Sequence, residues 1–405
     1  MRLLHTSDWH LGQHFFGKSR QAEHAALLAW LLEQVVVQAV DAVVVAGDVF
    51  DTASPPSHAR EAYHQFVLDM HDAGVQLVVL GGNHDSPAVL GESRQLLERL
   101  HTRVVPSLDR PAAEHVFALN GRDGQPGALL CAVPFIRARE VRPSLPGQET
   151  EAARQDLVAG IAGHYAAIHA AALARRQALG RPLPIVATGH LTCVGASRSE
   201  SVREIYVGSL SAFPADAFPP ADYIALGHIH RPQQVSASGH IRYSGSPIAL
   251  GFDELGVAKQ VLLVDLDAAG LQAVTPLEVP VFQPLARISA TLARLPAELD
   301  AVAATLAAGH VAWLEVEVVG DELLPDLPAR VAALVEDRPL EVLRLRRRRA
   351  SQPALAPVLQ DLDELAPAEV FERRLAAEPA LEQEQRQTLR ERFATVVARL
   401  EEGAA

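Results

Sequence analysis

The N-terminal part of the chain alternates short apolar runs with longer amphipathic stretches. The apolar runs at Leu3–Thr6, Asp41–Ala46 and Val75–Leu80 have the length and composition of buried strands. Arg20–Gln38 repeats leucine at helical spacing, and a second helix is predicted over Ser57–Ala73. Strands that are separated by helices predict a parallel sheet with helices on its faces.

The pattern changes after Arg110, where pairs of apolar runs predict hairpins. The predicted pairs are His115–Leu119 with Ala128–Val133, Gln233–Ala237 with His240–Tyr243, and Val261–Asp265 with Leu271–Pro276. An alanine-rich helix is predicted over Glu151–Leu179, and single strands over Pro184–Thr188 and Tyr223–Leu226. Two sheets flanked by helices would account for residues 1–280, which predicts an α/β two-sheet sandwich.

A second, smaller domain is predicted from about Pro284. Its pattern follows the order strand, helix, strand, helix, strand, which predicts a βαβαβ capping domain over residues 284–350. These elements cover Ala286–Thr291, Pro296–Leu306, Ala312–Val318, Pro325–Val335 and Leu340–Arg346. In the remaining stretch, residues 355–405, the segment Asp361–Glu402 is rich in Glu and Arg and is amphipathic. Its helical pattern breaks near Pro379, which predicts two helices.

Composition narrows the class of protein only in part. Hydrophobic residues make up 49% of the 405 residues, which favours a packed globular protein over a disordered chain. The formal net charge of −13 argues against a nucleic-acid partner, although bound dications would offset part of it locally. Because we find no signal-peptide pattern and no apolar run of about 18 residues, we predict a cytoplasmic protein. Cys131 and Cys193 are expected to be buried free thiols, with a single disulfide as the alternative.

Polar residues that can bind a metal follow five of the predicted strands. They are Asp8, His10, Asp48, Asn83, His190, His228 and His230. Ligands collect at the carboxyl ends of strands in open α/β sheets, so we expect these side chains to converge at one edge. Carboxylate, imidazole and amide donors suit Mn²⁺, Fe²⁺ or Zn²⁺. A bridging carboxylate, for which Asp48 is the central candidate, suits two ions about 3.5–4 Å apart.

Each of these short motifs also has a structural explanation when taken alone. A single Asp-x-His or His-x-His is more often a surface pair, and Gly-Asn-His-Asp at 82–85 is compatible with an ordinary turn. Five such motifs, each directly after an apolar strand, are not explained by turns, so we interpret them together as a binuclear metal centre. Such a centre lowers the pKa of a bound water and suits attack on phosphorus near neutral pH.

The order Asp-x-His, Gly-Asp-x-x-Asp, Gly-Asn-His-Asp, Gly-His, Gly-His-x-His resembles the calcineurin-like metallophosphoesterase superfamily. The resemblance implies two metal sites that share Asp48, one with Asp8, His10 and His230 and the other with Asn83, His190 and His228. It implies that His84 is not a ligand but a general acid for the leaving alkoxide, and that the Asp51 carboxylate orients it. Thr52 stands where protein phosphatases of this superfamily carry arginine, which argues against that activity.

Longer motifs resemble the SbcD family, the nuclease subunit of the bacterial SbcC–SbcD double-strand-break repair complex. The matching segments are SDWHLGQ at 7–13, DVFDTASPP at 48–56, GNHDSP at 82–87, DYIALGHIHRP at 222–232, YSGSP at 243–247 and FDE at 252–254. The resemblance implies Mn²⁺-dependent exonuclease action on double-stranded DNA and endonuclease action on single strands and hairpins, with Mg²⁺, Fe²⁺ or Zn²⁺ as alternative cofactors. It also implies SbcC as an ATP-hydrolysing partner and a homodimer formed through helices near Ser57–Ala73 and Ala88–Leu100.

Several interpretations stay open at this point. The run Arg344–Arg349 would contact DNA phosphates or the partner, or would be a solvated strand end. The helices predicted over residues 355–405 would bind the coiled coil of SbcC or pack against the capping domain. For the activity, the alternatives are a stand-alone phosphodiesterase acting on small nucleotides and a catalytically inactive scaffold, whose expected mark would be missing ligands.

Overall fold

Residues 1–280 contain the strands and helices that carry the ligand motifs. The structure is a computed structural model and describes residues 1–141, 150–194, 212–235, 237–320 and 326–349, with isolated positions at 196, 197, 199, 202, 387, 389, 390, 392 and 393. The helices predicted over residues 355–405 therefore lie outside the described residues, apart from five positions.

The elements of this first part follow the predicted order closely. In chain order they are β1 (Arg2–Thr6), β2 (His14–Phe15), β3 (Lys18–Ser19), α1 (Gln21–Val37), β4 (Ala42–Val45), α2 (Ser57–Asp72), β5 (Gln76–Leu80), α3 (Pro87–Gly91), α4 (Arg94–Glu98), β6 (Thr102–Val105), β7 (Val116–Asn120), β8 (Pro126–Cys131), α5 (Ala138–Val141), α6 (Thr150–Leu179), β9 (Ile185–His190), β10 (Tyr223–Gly227), β11 (Gln233–Gln234), β12 (Ile241–Tyr243), β13 (Gln260–Asp267) and β14 (Gly270–Glu278). The helix expected near Ala88–Leu100 is divided into α3 and α4.

The first sheet has the strand order β14-β13-β1-β4-β5-β6. Strands β1, β4, β5 and β6 run parallel, as the alternation of strands and helices predicted. The hairpin β13–β14 joins this sheet from more than 200 residues along the chain, with β13 antiparallel to β1 and Leu4 opposite Leu263. The hairpin itself was predicted, but its place beside β1 was not.

The second sheet has the order β11-β12-β10-β9-β8-β7. Strands β8, β9, β10 and β12 are parallel, while β7 and β11 pair antiparallel at the two ends. The predicted hairpins β7–β8 and β11–β12 are therefore confirmed.

The two sheets pack face to face and are covered by helices on the outside. Apolar side chains between the sheets include Val44 and Val78 from the first and Leu130 and Val186 from the second. Helices α1 and α2 cover the outer face of the first sheet, and α6 covers that of the second. This arrangement confirms the α/β two-sheet class predicted from the sequence.

Helix α6 shows how periodicity decides burial. Its buried residues are Leu157, Ile161, Tyr165, Ile168 and Ala172, which lie on one face at helical spacing and pack against the second sheet. Within the described residues, Arg154–Leu179 is the one helical segment long and apolar enough to cross a membrane. Its packing against the sheet is that of a core helix.

The capping region has the predicted order of elements. These are β15 (Leu285–Ala290), α7 (Leu295–Ala304), β16 (Ala312–Val319), α8 (Leu327–Val335) and β17 (Leu340–Arg348). The sheet order is β15-β16-β17, with β15 parallel to β16, and the two helices pack on a shared apolar core. Residues 1–347 form one compact unit.

The two cysteines are free and buried, as predicted. Burial raises the pKa of the Cys131 thiol to about 12, and that of Cys193 also to about 12. Neither sulfur is therefore a reactive thiolate at neutral pH.

Candidate metal centre

The loops that follow β1, β4, β5, β9 and β10 meet at the carboxyl ends of the two sheets. Pairing in register explains this, since the ends of β1 and β4 lie side by side, as do those of β9 and β10. The loops bring together all seven residues singled out in the sequence. Of these, Asp8, His10, Asp48, His190, His228 and His230 are buried, and Asn83 is half-buried.

Unusual backbone geometry accompanies this convergence. Asp8, His10, Asp48 and His228 have φ values of 54°, 49°, 50° and 91°, in the left-handed region that non-glycine residues rarely adopt. Such strain clusters at functional sites, where the surrounding contacts hold it. Gly82 allows the loops to approach, because a Cβ there would lie 2.1 Å from Oδ1 of Asp48.

The first group of potential ligands consists of Asp8, His10 and His230, whose ligand atoms lie within 4.8 Å of one another. Each is held from outside the group. Ser7 Oγ donates to Asp8 Oδ2 at 2.6 Å, and His10 Nδ1 lies 3.1 Å from Oδ1 of Asp51. A carboxylate on one ring nitrogen orients the imidazole and leaves the other nitrogen to bind a metal.

The second group consists of Asp48, His190 and His228, with Asn83 between the two imidazoles. Asn83 Oδ1 lies 2.9 Å from His190 Nε2 and 3.0 Å from His228 Nδ1. Asp48 Oδ2 is 3.2 Å from His190 Nε2 and 3.7 Å from His10 Nε2. Asp48 therefore lies between the two groups, in the position of a shared ligand.

Protonation in the absence of metal follows from these contacts. Burial alone would raise the pKa of Asp48, but the adjacent His190 outweighs it and holds that pKa well below its usual range. Burial disfavours the charged form of His190, yet the Asp48 carboxylate raises the pKa of His190 to about 9. A metal ion that binds here must displace the His190 proton, so binding releases protons.

Two buried nitrogen atoms indicate that the residues fit a metal. Nε2 of His10 and Nε2 of His228 are buried and have no hydrogen-bond partner in the described part of the chain. Buried polar atoms are rarely left unpaired, and a cation would satisfy a deprotonated ring nitrogen. The donor set of carboxylate, imidazole and amide is the one that borderline or hard dications prefer.

His84 lies beside this centre, and the main chain of Asp51 contacts its ring. Its Nδ1 bonds to the backbone carbonyl of Asp51 at 2.7 Å, whereas the hydrogen bond of the Asp51 carboxylate described above goes to His10. The backbone N–H of His84 donates to Asp48 Oδ1 at 2.8 Å. The main chain of Asp51 thus fixes the His84 tautomer, because a carbonyl accepts only from a protonated Nδ1. His84 also lies close enough to His10 and Asp48 to form a third group of potential ligands with them.

Two supporting carboxylates were not assigned a role from the sequence. Asp85 is buried and accepts from the backbone N–H groups of Val49, Phe50 and Gly82 at 3.2, 3.0 and 2.8 Å. It ties the loop after β4 to the loop after β5. Burial, together with the charge of Asp48, raises the pKa of Asp85 to about 6. The final Asp of the Gly-Asn-His-Asp motif was the sequence feature that pointed to it.

Glu254 is the second of these carboxylates. Its Oε1 lies 2.9 Å from Nδ1 of His230, and its Oε2 accepts from Lys259 Nζ at 2.6 Å. Burial would raise the pKa of Glu254, but the hydrogen bond with His230 and the charge of Lys259 hold it far below its usual range. The charged carboxylate can therefore orient His230 as Asp51 orients His10.

One further motif requires a structural test. Residues 12–19 have the Gly-x-x-x-x-Gly-Lys-Ser spacing of a P-loop, a match that sequence reasoning missed. The structure places these residues in the β2–β3 hairpin, where Lys18 forms an ion pair with Glu341 of β17. A P-loop wraps its backbone N–H groups around phosphates, and a hairpin pairs them between strands, so we reject this match.

Fold and donor set together define a metal-dependent phosphodiesterase. A family model described as calcineurin-like phosphoesterase matches residues 1–232, which is more than half of the chain. A second model, described as the type 5 capsule protein repressor C-terminal domain, matches residues 281–378.

Relatives narrow the class further. The SbcD subunit of the nuclease SbcCD from Escherichia coli K12 is 49% identical over 399 residues, which are 98% of each chain. The protein of the same name from Rhodobacter capsulatus is 35% identical over 92% of this chain and 93% of its own. That from Bacillus subtilis is 34% identical over 65% of this chain and 66% of its own. The chain belongs to the SbcD family, as its motifs predicted.

Proposed function

We propose that the seven clustered side chains hold two divalent cations, most favourably Mn²⁺. One would be held by Asp8, His10, Asp48 and His230, and the other by Asp48, Asn83, His190 and His228. The observation that carries this proposal is the pair of buried Nε2 atoms of His10 and His228, which have no hydrogen-bond partner among the described residues and lie beside two buried carboxylates. Mg²⁺, Fe²⁺ and Zn²⁺ are the alternatives that the same donors would accept.

The proposed reaction is hydrolysis of a phosphodiester bond in DNA. Two such cations supply charge neutralisation on the phosphoryl oxygens and activation of water near neutral pH. His84 donates a proton to the departing oxygen. Because its Nδ1–H is held by the Asp51 carbonyl, Nε2 is the atom that delivers the proton, and the imidazolium is the active form.

The substrate and partner are proposed from the relatives. All three are named as the SbcD component of the nuclease SbcCD, and two match nearly the full chain. We propose a double-stranded DNA exonuclease and single-strand or hairpin endonuclease that acts with an SbcC-type ATPase in the cytoplasm, at the nucleoid. The three proposed domains would be residues 1–280, 284–350 and 355–405, the last of which would bind the partner. A small-nucleotide enzyme has little use for the additional domains, and an inactive scaffold would not retain all seven ligands.

A homodimer is proposed through the helices after β4 and β5. Leu68 on α2 and Leu96 on α4 are 43% and 63% exposed, although both are large and apolar. Large apolar side chains that are exposed in this way favour a surface that another chain covers.

One experiment separates the candidate activities. The purified chain, with and without its SbcC partner and ATP, would be incubated with Mn²⁺ and a DNA hairpin, linear duplex or bis-p-nitrophenyl phosphate. We expect cleavage of DNA, with duplex degradation requiring the partner and ATP. Cleavage of the small ester alone would contradict a nuclease, and inactivity on every substrate would favour the scaffold.

The role of His84 has its own test. His84→Gln should lose most of the cleavage, by about 10²–10⁴-fold, and keep the binding of Mn²⁺ and DNA. Calorimetric titration with Mn²⁺ and a DNA-binding assay would accompany the activity measurement. A loss of Mn²⁺ binding in this variant would show that His84 is a ligand instead.

A further inference from the structure

An aromatic cluster lies where the β2–β3 hairpin meets the capping region. Phe15 stacks on Trp313 with ring centroids 5.9 Å apart and contacts Phe252 at 5.0 Å. Phe15 and Phe252 are buried, whereas Phe16, whose ring lies 5.5 Å from that of Phe252, is 48% exposed. The cluster is therefore a packed base in which Trp313 is half-buried and Phe16 is the most exposed ring.

The backbone holds Phe16 in this position. Phe16 and Gly17 form the turn of the hairpin and have φ values of 49° and 85°. A left-handed conformation is unfavourable for a bulky aromatic residue, but a two-residue hairpin turn requires it at both of its central positions. The edge-to-face contact between Phe15 and Phe16, at 5.0 Å, supports the exposed ring from below.

An arginine lies over the Phe16 ring. The guanidinium of Arg344 lies 5.6 Å from the Phe16 centroid and 3.0 Å from the buried carboxylate of Glu315. Arg287 and Arg346 also pair with Glu315, the latter at 3.8 Å. Because three guanidinium groups share one carboxylate, this group keeps a net positive charge. Arg344 and Arg346, from the arginine run of uncertain role, thus lie beside the ring.

A cavity of about 300 Å³ lies beside these groups. Its lining includes Gln13, Phe16, Phe252, Asp253, Arg287 and Arg344. Gln13 is three residues after the ligand His10, and Phe252 is two residues before Glu254, which orients His230. The cavity volume is at the small end of the range for ligand pockets, which suits one planar group better than a helix or a peptide segment.

We propose that this cavity binds one unpaired nucleotide of the DNA strand, with its base against the part of the Phe16 ring that Arg344 leaves exposed and its phosphate on Arg344 and Arg287. The inference rests on the proposed nuclease function and assigns it a site for single-stranded DNA. Aromatic rings that carry a base, flanked by arginine, are the usual means of binding single strands without sequence preference. A duplex would keep its bases stacked, so the site favours hairpin loops and frayed ends.

The test compares strands with and without bases. The full chain in EDTA, assembled with its SbcC-type partner, would be titrated with a fluorescent single strand and with a strand of equal length made of abasic residues. We expect Phe16→Ala to weaken binding of the base-bearing strand about tenfold and to leave binding of the abasic strand unchanged. Phe16→Trp keeps an aromatic ring and should bind the base-bearing strand as tightly as wild type.

Phe117→Ala is the matched control, because Arg103 lies 5.6 Å over the Phe117 ring, at the far edge of the second sheet. It should not alter binding of either strand. Arg344→Gln should weaken binding of both strands. It should also reduce the slope of log affinity against log salt concentration by about the amount expected for one phosphate contact.

Equal affinity of Phe16→Ala and wild type for the base-bearing strand would overturn the inference, as would an equal loss on both strands. If wild type cleaves DNA once Mn²⁺ is added back, and Phe16→Ala binds the base-bearing strand as tightly as wild type, only this inference fails. If wild type binds neither strand and cleaves no DNA, the proposed function fails with it.

Discussion

Asp85 offers a direct test of how the metal loops are positioned. Its two oxygens accept three backbone N–H groups, and Oδ2 alone takes those of Val49 and Gly82. In Asp85→Asn, the amide oxygen can occupy the Oδ2 position and keep two of the three bonds. The NH₂ group then faces the N–H of Phe50, which loses its acceptor. One buried unpaired N–H costs about 1–3 kcal/mol.

Removing the side chain should have a larger effect. Asp85→Ala leaves all three N–H groups without an acceptor, so the loss should be about 3 kcal/mol or more. The loop after β4 carries Asp48 and the loop after β5 carries Asn83, so both metal sites depend on this tie. Changes in groups that orient ligands typically weaken metal binding about 10–100-fold, and we expect that range for Asp85→Asn.

Two measurements separate folding from metal binding. Thermal unfolding in EDTA reports the loss of stability, which should lower Tm by a few degrees in Asp85→Asn and by more in Asp85→Ala. Competition with a chelator reports the affinity for Mn²⁺. Asp109→Asn is the matched control, because Asp109 is an exposed carboxylate with a long contact of 3.9 Å to Arg94.

The outcome can refute the reasoning in two ways. Unchanged Mn²⁺ affinity in Asp85→Asn together with a lowered Tm would show that Asp85 stabilises the fold without positioning the ligands. A variant with the same Tm and the same Mn²⁺ affinity as wild type would show that water replaces the three hydrogen bonds without loss of stability or metal binding.

Three other predictions concern pH and metal. Burial lowers the pKa of His5 to about 3, against about 6.5 in the unfolded chain, so the unfolded state binds the proton between these values and stability falls as pH drops below 6.5. At pH 5 the free energy of unfolding should be lower by about 2 kcal/mol. Urea unfolding in EDTA at pH 7 and pH 5 measures this difference, which should be smaller in His5→Gln than in wild type. The control His14→Gln, at an exposed position, should show the same difference as wild type. Glu254→Gln should weaken Mn²⁺ binding about tenfold or more in a chelator competition, because His230 loses its charged partner; equal affinity would exclude this role. Mn²⁺ at a concentration 100 times its Kd should raise the free energy of unfolding by about 2.7 kcal/mol, which is measured as an increase in Tm. His228→Gln should reduce that increase.

Much of the site was predictable because its parts are local in sequence. Each ligand motif lies at the end of a strand, and parallel strands of one sheet end at the same edge. Asp8, Asp48 and Asn83 therefore had to approach one another in the first sheet, and His190 and His228 in the second. The contacts that orient the ligands were less predictable. Asp51 follows Asp48 by three residues in the motif. The side chain that its carboxylate contacts depends, however, on the conformation of the loop after β1. The resemblance pairs Asp51 with His84, and the structure also places its Oδ1 3.1 Å from Nδ1 of His10.

The amino-acid sequence by itself determined the α/β class, the order of the elements and the set of candidate ligands, because these follow from periodicity and from motifs within a few residues. Only the tertiary structure decided the rest. It placed the β13–β14 hairpin beside β1, set Glu254 against His230, and brought Arg344 over Phe16. These contacts join segments that are distant along the chain and depend on which apolar faces pack together. No local pattern encodes that choice, since the same strand or loop could satisfy its own periodicity at more than one place in the fold.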